Sequence, residues 1–349
     1  MGVYADRRKR VLSMAKGREV IAARGANMFW LTDFWGAGAA LVREDRTVVV
    51  TSVLEENRAR ELGNEVEVVA VKKWADVAET VHKLLDKKVK VYADDDFELR
   101  RFKRVEMKPS LFLEARRVKD EVELERIAKA SKGLDGIFEA LMKEIRPGRT
   151  EWEVAAEVMK HATLSGLTPS GSDSALSPTI VASGENGALP HSELTDRKIR
   201  EGDFVVADIF FRYRGYNSDE TRTYAVGRVS GDMRRNYHAV LEAQEGALEL
   251  IKEGTPCKDV NDRAVGILRK HGVDKYLNHG IGHGVGIDIH ELPRISTTSA
   301  DSLVSNDVVT DEPGVYFLGK YGIRIEDTVK TGRKPVALTR STKELVTVG

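Results

Sequence analysis

The sequence predicts an α/β domain followed by a larger domain that duplicates one helix–strand unit about a pseudo-twofold axis. Three observations carry that prediction. The chain has 349 residues, enough for about two domains of ~150 residues each. Across its first third, short β-rich apolar runs alternate with helical patterns, the signature of an α/β sheet. Beyond residue 120, glycine and acid positions recur at a nearly constant spacing, the mark of an internal duplication.

In chain order, residues 7–16 carry apolar Val11, Leu12 and Met14 and stop at Gly17, which predicts a helix. Runs at 39–42, 48–51, 66–71 and 89–92 read as strands, with helical patterns at 54–62 and 74–85 between them. Trp30, Phe34 and Trp35 read as a packing cluster. Gly36-Ala37-Gly38 lacks the rest of a dinucleotide fingerprint. This domain therefore shows no chemistry of its own and is expected to cap or shape a site carried elsewhere. The boundary falls at 116–120, giving domains of 1–116 and 117–349, and a long helical stretch follows over 121–145.

The duplication is visible first in Ile145, Gly148, Val154 and Gly166, echoed by Ile251, Gly254, Val260 and Gly272. In each copy a helix ends at a glycine, a short polar turn follows and a second helix begins. The downstream echo is sharper. GDFVVAD over 202–208 resembles NDVVTDE over 306–312, aligning Asp208 with Glu312. Asp219-Glu220-Thr221 likewise matches Glu326-Asp327-Thr328. Each half is thus expected to deliver two acids from corresponding strand ends, and a pseudo-twofold would bring all four to the midline.

Composition narrows the function. Lys+Arg and Asp+Glu are 55 each, so the formal net charge is zero, whereas a nucleic-acid binder shows a basic excess. Charged residues make up 32%, above the roughly 25% usual for soluble domains. The one cysteine, Cys257, excludes an internal disulfide framework and fits a reducing compartment. The opening MGVYADRRKRVLSMAKG lacks the apolar core of a signal peptide, and no apolar run is long enough for a membrane span. A cytoplasmic, soluble protein with no membrane partner is expected.

Asp208 stands alone in the apolar run 204–211, and Glu326 closes GIRI over 322–325. A carboxylate in such a run is costly unless paired or metal-bound; four of them in symmetric positions favour metal. HGIGHGVG over 279–286 adds imidazoles on a glycine-rich backbone, with His290 seven residues beyond His283. Four carboxylates and one imidazole form a hard, oxygen-rich set for two divalent ions such as Mn, Co, Fe or Zn. Two such ions can deprotonate a shared water at neutral pH.

In order and spacing, Asp208, Asp219, His283, Glu312 and Glu326 resemble the metal ligands of the pita-bread metallopeptidases, the family of methionine aminopeptidase, aminopeptidase P and prolidase. The text NSDETRTY, HGIGHGVG, DEPGVY and GIRIED agrees, and residues 1–116 resemble the first domain of compact archaeal and bacterial prolidases. The resemblance implies an α+β pita-bread second domain, a homodimer, and two divalent ions, with Mn or Co ahead of Zn or Fe. It implies that Asp208 and Glu326 bridge the ions, that Asp219 and His283 bind them, and that Glu312 both binds one and shuttles the proton. His191, in LPHS, and His290 match the family's two non-ligand histidines, which bind the substrate carbonyl or stabilise the tetrahedral intermediate. Arg294 is a candidate for gripping a substrate carboxylate, and Arg324 for orienting a ligand carboxylate. One departure is Asp311, where the family is usually apolar; it either adds to metal affinity or points away.

The expected function is hydrolysis of the Xaa-Pro bond in dipeptides by a hydroxide bridging the two metals, with aminopeptidase P activity on longer peptides as the alternative. A metal-free binding module and a creatinase-like enzyme are the remaining readings, and the complete ligand set disfavours both.

Overall fold

The computed structural model describes residues 2–86, 89–94, 98–171 and 177–349. The chain forms two compact units, Met1–Arg116 and Arg117–Gly349.

In the first unit, β1 (Val20–Ala22), β2 (Gly38–Val42), β3 (Thr47–Ser52), β4 (Glu67–Val71), β5 (Val91–Ala93) and β6 (Val105–Met107) form one mixed sheet of order β4-β3-β2-β1-β5-β6. Its helices are α1 (Val3–Met14), α2 (Gly25–Thr32), α3 (Glu56–Arg60), α4 (Asp76–Leu84) and, at the boundary, α5 (Pro109–Arg117). Leu41, Val48, Val50, Val77, Val81 and Val91 form its core. Strands β2 to β4 and helix α4 lie where the periodicity places them, and the helix read over 7–16 is α1, which begins four residues earlier and ends at Met14. The helix read over 54–62 shrinks to the five residues of α3, and the strand read over 89–92 begins only at Val91. The sequence reading omits β1 and β6, each too short to show alternation, together with α2 and α5. Helix α2 is buried at every position from Ala26 to Thr32, so it has no polar face and no 3.6-residue period to detect. Of the aromatic cluster, Trp30 and Phe34 are buried, whereas Trp35 is 40% exposed and packs edge-on against Phe29.

The second unit opens with α6 (Glu121–Glu144) and α7 (Glu151–Leu164). Both start on capping boxes, Asp120 with Glu123 and Thr150 with Glu153, which satisfy orphan N–H groups of the first turn. Strands β7 (Thr168–Pro169), β8 (Thr179–Ser183), β9 (Phe204–Tyr213) and β10 (Tyr216–Val226) follow, then α8 (Gly231–Leu248) and α9 (Cys257–Lys270). The chain ends in β11 (Gly282–Gly284), β12 (Glu291–Ile295), β13 (Val308–Asp311), β14 (Gly314–Phe317), β15 (Tyr321–Arg324), β16 (Asp327–Lys330), β17 (Val336–Ala337) and β18 (Thr347–Val348). One sheet runs β18-β10-β9-β7, with β8 also on β9; another runs β12-β11-β13-β16-β17; β14 and β15 form a separate hairpin.

The duplication is carried by backbone geometry. Gly148 and Gly254 have φ of 89° and 87°, and Gly166 and Gly272 have 70° and 72°, a left-handed region where only glycine sits without strain. The N–H of Gly148 donates to Ile199 O at 2.9 Å, and that of Gly254 to Leu303 O at 2.8 Å. The turn before each central strand repeats too, with Gly202 at 85° matched by Asn306 at 66°, a residue that tolerates this region. Two sheets meet where Glu326 N–H donates to Thr221 O at 3.0 Å, between the two echoed acid triplets. Among the described residues, no helix is long and apolar enough to cross a membrane.

Candidate metal centre

Strands β9 and β10 pair antiparallel with Thr221 opposite Asp208 and Asp219 opposite Phe210. Alternation along a strand therefore places Asp208, Asp219 and Thr221 on one face. Glu326 reaches the same place at the junction of the sheets, where Thr221 Oγ1 donates to Glu326 Oε2 at 2.5 Å. His283 comes from β11, and Glu312 directly follows β13, its N–H donating to Ile281 O at 2.8 Å. Thr310 ties those two together: its hydroxyl donates to Glu312 Oε1 at 3.1 Å and accepts the N–H of His283 at 3.0 Å.

The first half thus delivers its acids from mid-strand rather than from strand ends, as a long uninterrupted β9–β10 hairpin requires. In the second half the hairpin β14–β15 interrupts the sheet, and Glu312 and Glu326 sit at strand ends as expected.

His283 Nε2 lies 3.3 Å from Glu312 Oε1 and 3.9 Å from Asp219 Oδ2. Ligand atoms of Asp219, His283 and Glu326 all lie within 4.8 Å of one another. Asp208 is ion-paired through Oδ2 to Arg324, whose guanidinium also bonds Thr221 Oγ1 at 3.2 Å and Tyr316 OH at 2.8 Å. Asp208, Asp219 and Glu326 are 9%, 5% and 2% exposed. Burial, then the charges of Asp208 and Glu312, push the Asp219 carboxyl well above its ordinary range. Burial, then Asp219, Glu312 and Asp208, do the same to Glu326. Burial would also raise Glu312, but the hydrogen bond and charge of His283 win and hold it at about 2. Asp208 Oδ1 and Asp219 Oδ1 are buried with no hydrogen-bond partner. Like-charged buried carboxylates with orphaned oxygens, beside an imidazole, are the donor set that divalent cations satisfy.

The remaining predicted residues surround this cluster. The His290 ring lies 4.3 Å from that of His283, centroid to centroid. Desolvation and the neighbouring His283 pull its pKa down to about 4, so it is neutral at pH 7. Arg294 stands directly across the β11–β12 ladder from His283. His191 and Arg294 are both exposed, and both act on the charge of His290.

Asp311 does not face the cluster. It is fully buried on the opposite side of the strand, where its Oδ2 and Oδ2 of Asp327 accept from one Gln244 Nε2, each at 3.1 Å. Glu220, Asp311 and Asp327 each stand one residue from a candidate ligand and point away from it. Arg222 answers this second layer, at 3.1 Å from Glu220 and 2.8 Å from Asp327.

Sequence reading missed the hydroxyls that hold the carboxylates. Thr221 serves Glu326, and its echo Thr328 accepts the N–H of Asp219 at 3.0 Å. The repeated acid–acid–threonine triplet is the signal that contains them. It also missed Tyr316, which receives Arg324 and lies 2.8 Å from His279 Nε2.

The glycines around His283 are sterically required. A Cβ on Gly282 would stand 2.2 Å from Thr310 O, and one on Gly284 would stand 2.1 Å from Leu292 O. Both obstacles are backbone and cannot swing aside. Gly284→Ala is expected to cost about 1–3 kcal/mol of stability, the usual range for overpacking, and to lower metal content. Urea denaturation and elemental analysis check both; unchanged values would show that the strand relaxes freely.

The family model for metallopeptidase family M24 matches residues 125–331, and that for the creatinase/prolidase N-terminal domain matches 19–109. The chain is 34% identical over 340 residues to an Xaa-Pro dipeptidase of Pyrococcus furiosus, covering 94% of each chain. Its structure resembles that of the Xaa-Pro dipeptidase from Bacillus anthracis, with a TM-score of 0.90 and 28% identity over 99% of this chain and 100% of that one. It also resembles the X-Pro aminopeptidase from Thermotoga maritima MSB8, with a TM-score of 0.87 and 29% identity over 98% and 99% of the two chains.

Proposed function

The chain belongs to metallopeptidase family M24, and we propose that it is an Xaa-Pro dipeptidase that uses two divalent metal ions. The observation that carries this is the cluster of Asp219, His283 and Glu326 with Glu312 and Asp208 beside it, two of its buried carboxylate oxygens unpartnered, in a chain similar over nearly its whole length to an Xaa-Pro dipeptidase.

Asp208, Asp219, His283, Glu312 and Glu326 would hold the ions, with Mn or Co ahead of Zn or Fe. When bound, such ions supply a nucleophilic water at neutral pH and polarise the scissile carbonyl. The protein's own contribution is preorganisation. Arg324 fixes Asp208, Thr221 fixes Glu326, and Thr310 fixes Glu312 and the backbone of His283. Glu312 takes the proton of the attacking water and returns it to the proline nitrogen as the C–N bond breaks. His290, neutral at pH 7, and His191 hydrogen-bond the substrate carbonyl as it gains charge. Arg294 grips the carboxylate of the proline. The reading extends to a cytoplasmic setting, with which the free, buried Cys257 agrees, and to a homodimer, supported by the resemblance to prolidases.

A peptide panel tests it. Apo protein reloaded separately with Mn, Co, Zn or Fe should release proline from Met-Pro and Leu-Pro and leave Xaa-Pro-Xaa tripeptides intact. Cleavage of the tripeptides instead would assign aminopeptidase P activity, which the likeness to the Thermotoga maritima structure makes the specific competitor. No turnover of either class would overturn both.

A further inference from the structure

His290 is carried by the segment between β11 and β12, and that segment is clamped from two sides. From one side, Asn217 on β10 is fully buried: its Nδ2 donates to Gly286 O at 3.0 Å and Ile287 O at 2.8 Å, and its N–H to Gly286 O at 2.8 Å. From the other side comes Glu291, the residue next to His290. Glu291 Oε2 accepts from Lys119 Nζ at 2.9 Å, with the two side chains 3% and 1% exposed. Its Oε1 accepts the N–H of Asp288 at 3.1 Å. The carboxylate lies flat against Gly286, where a Cβ would stand 2.5 Å from Oε2. Lys119 is itself anchored, its Nζ donating to Arg117 O at 3.0 Å and its N–H to Asn306 O at 3.1 Å.

A buried ion pair that only stabilises is a poor device, because an apolar pair of similar volume does as well or better. What this pair adds is direction, since each charge is held by two or more fixed partners. We propose that the buried Lys119–Glu291 pair positions His290 beside the metal centre, making Lys119 and Glu291 positioning residues for the hydrolysis proposed above, on which this inference rests. Neither is a candidate ligand.

The test uses Lys119→Met, Glu291→Gln and the double variant in the full-length, metal-loaded protein. Each is expected to keep the wild-type metal content and to lose about 10- to 100-fold in kcat on Leu-Pro, the scale of loss for a group misplaced by about 1 Å, with KM little changed. The double variant should regain the melting temperature lost in the singles, because no buried charge is left unpaired, without regaining kcat. In histidine-labelled, zinc-loaded protein, the His290 resonance, assigned by its absence in His290→Gln, should shift in all three. Wild-type kcat in the double variant, or an unshifted His290 resonance, would overturn the inference. If the wild type itself turned over no Xaa-Pro peptide, the functional reading would fall instead, and the resonance alone would decide.

Discussion

Stripped of metal by chelation, the protein should lose melting temperature as the pH rises from 6.5 to 8, and reloading with Mn should reverse that trend. Burial pushes Glu220 up to about 8 and, with neighbouring acids, pushes Asp219, Glu326 and Asp311 well above their ordinary range. In the unfolded chain these carboxyls titrate near 4. Between the unfolded and folded values the native state binds more protons than the unfolded state, so stability is lost as pH rises through that interval. Groups whose pKa is lowered run the other way, in lower windows, His279 and Asp327 among them. Glu312, held at about 2, contributes fully above its unfolded value. His290, at about 4, makes stability rise with pH only up to the unfolded histidine value near 6.5. Above 6.5 the raised carboxyls are left to set the slope.

Metal should invert this dependence. Binding displaces the protons on Asp219 and Glu326, so affinity rises with pH. At about a thousandfold excess over Kd the gain is about 4 kcal/mol, or roughly 5–6 °C at about 1.4 °C per kcal/mol, the value that ~2.1 cal/mol/K per residue gives for 349 residues. Calorimetry at pH 6.5 and 8, with chelator and with Mn, measures both effects. An apo midpoint that rises with pH, or one indifferent to metal, would show that the carboxylates are not a metal-binding cluster.

The features legible in the sequence are those where one residue type alone meets a physical demand. Gly148, Gly166, Gly254 and Gly272 announce the duplication because each occupies a left-handed turn. Asp208 and Glu326 announce the site because a carboxylate contradicts the apolar strand around it. What stayed hidden lacks such a contradiction. Helix α2 is buried all round and shows no period, and β1 and β6 are three residues each. Thr221 and Thr310 are ordinary strand residues whose value comes from their partners: for Thr221 it is Glu326, more than a hundred positions away, and for Thr310 it is Glu312 and the backbone of His283. The orientation of Asp311 was within reach: alternation along a strand turns the neighbour of Glu312 to the other face. The same rule places Glu220 behind Asp219 and Asp327 behind Glu326, a second acidic layer matched by Arg222.

Glu312→Gln should lower kcat by about a thousandfold, within the range for removing a general acid–base group, and excess metal should not restore it. Glu312 carries two proposed roles, ligand and proton shuttle, and the amide separates them. Glutamine keeps an oxygen that can still accept from Thr310 and approach a cation, so the ligand role is weakened rather than abolished. It cannot take a proton, so the shuttle is lost outright. Glu326→Gln is the internal control. Glu326 is held by Thr221 and sits beside Asp219 and His283, but no proton transfer is assigned to it. Its variant should lose metal affinity and recover much of its activity when metal is raised until two ions bind. Titrating Mn into both variants while following Leu-Pro hydrolysis and bound metal distinguishes them. If Glu312→Gln recovers with metal as Glu326→Gln does, Glu312 is a ligand only and the proton travels by another group. If it stays slow with both ions bound, the missing function is the proton.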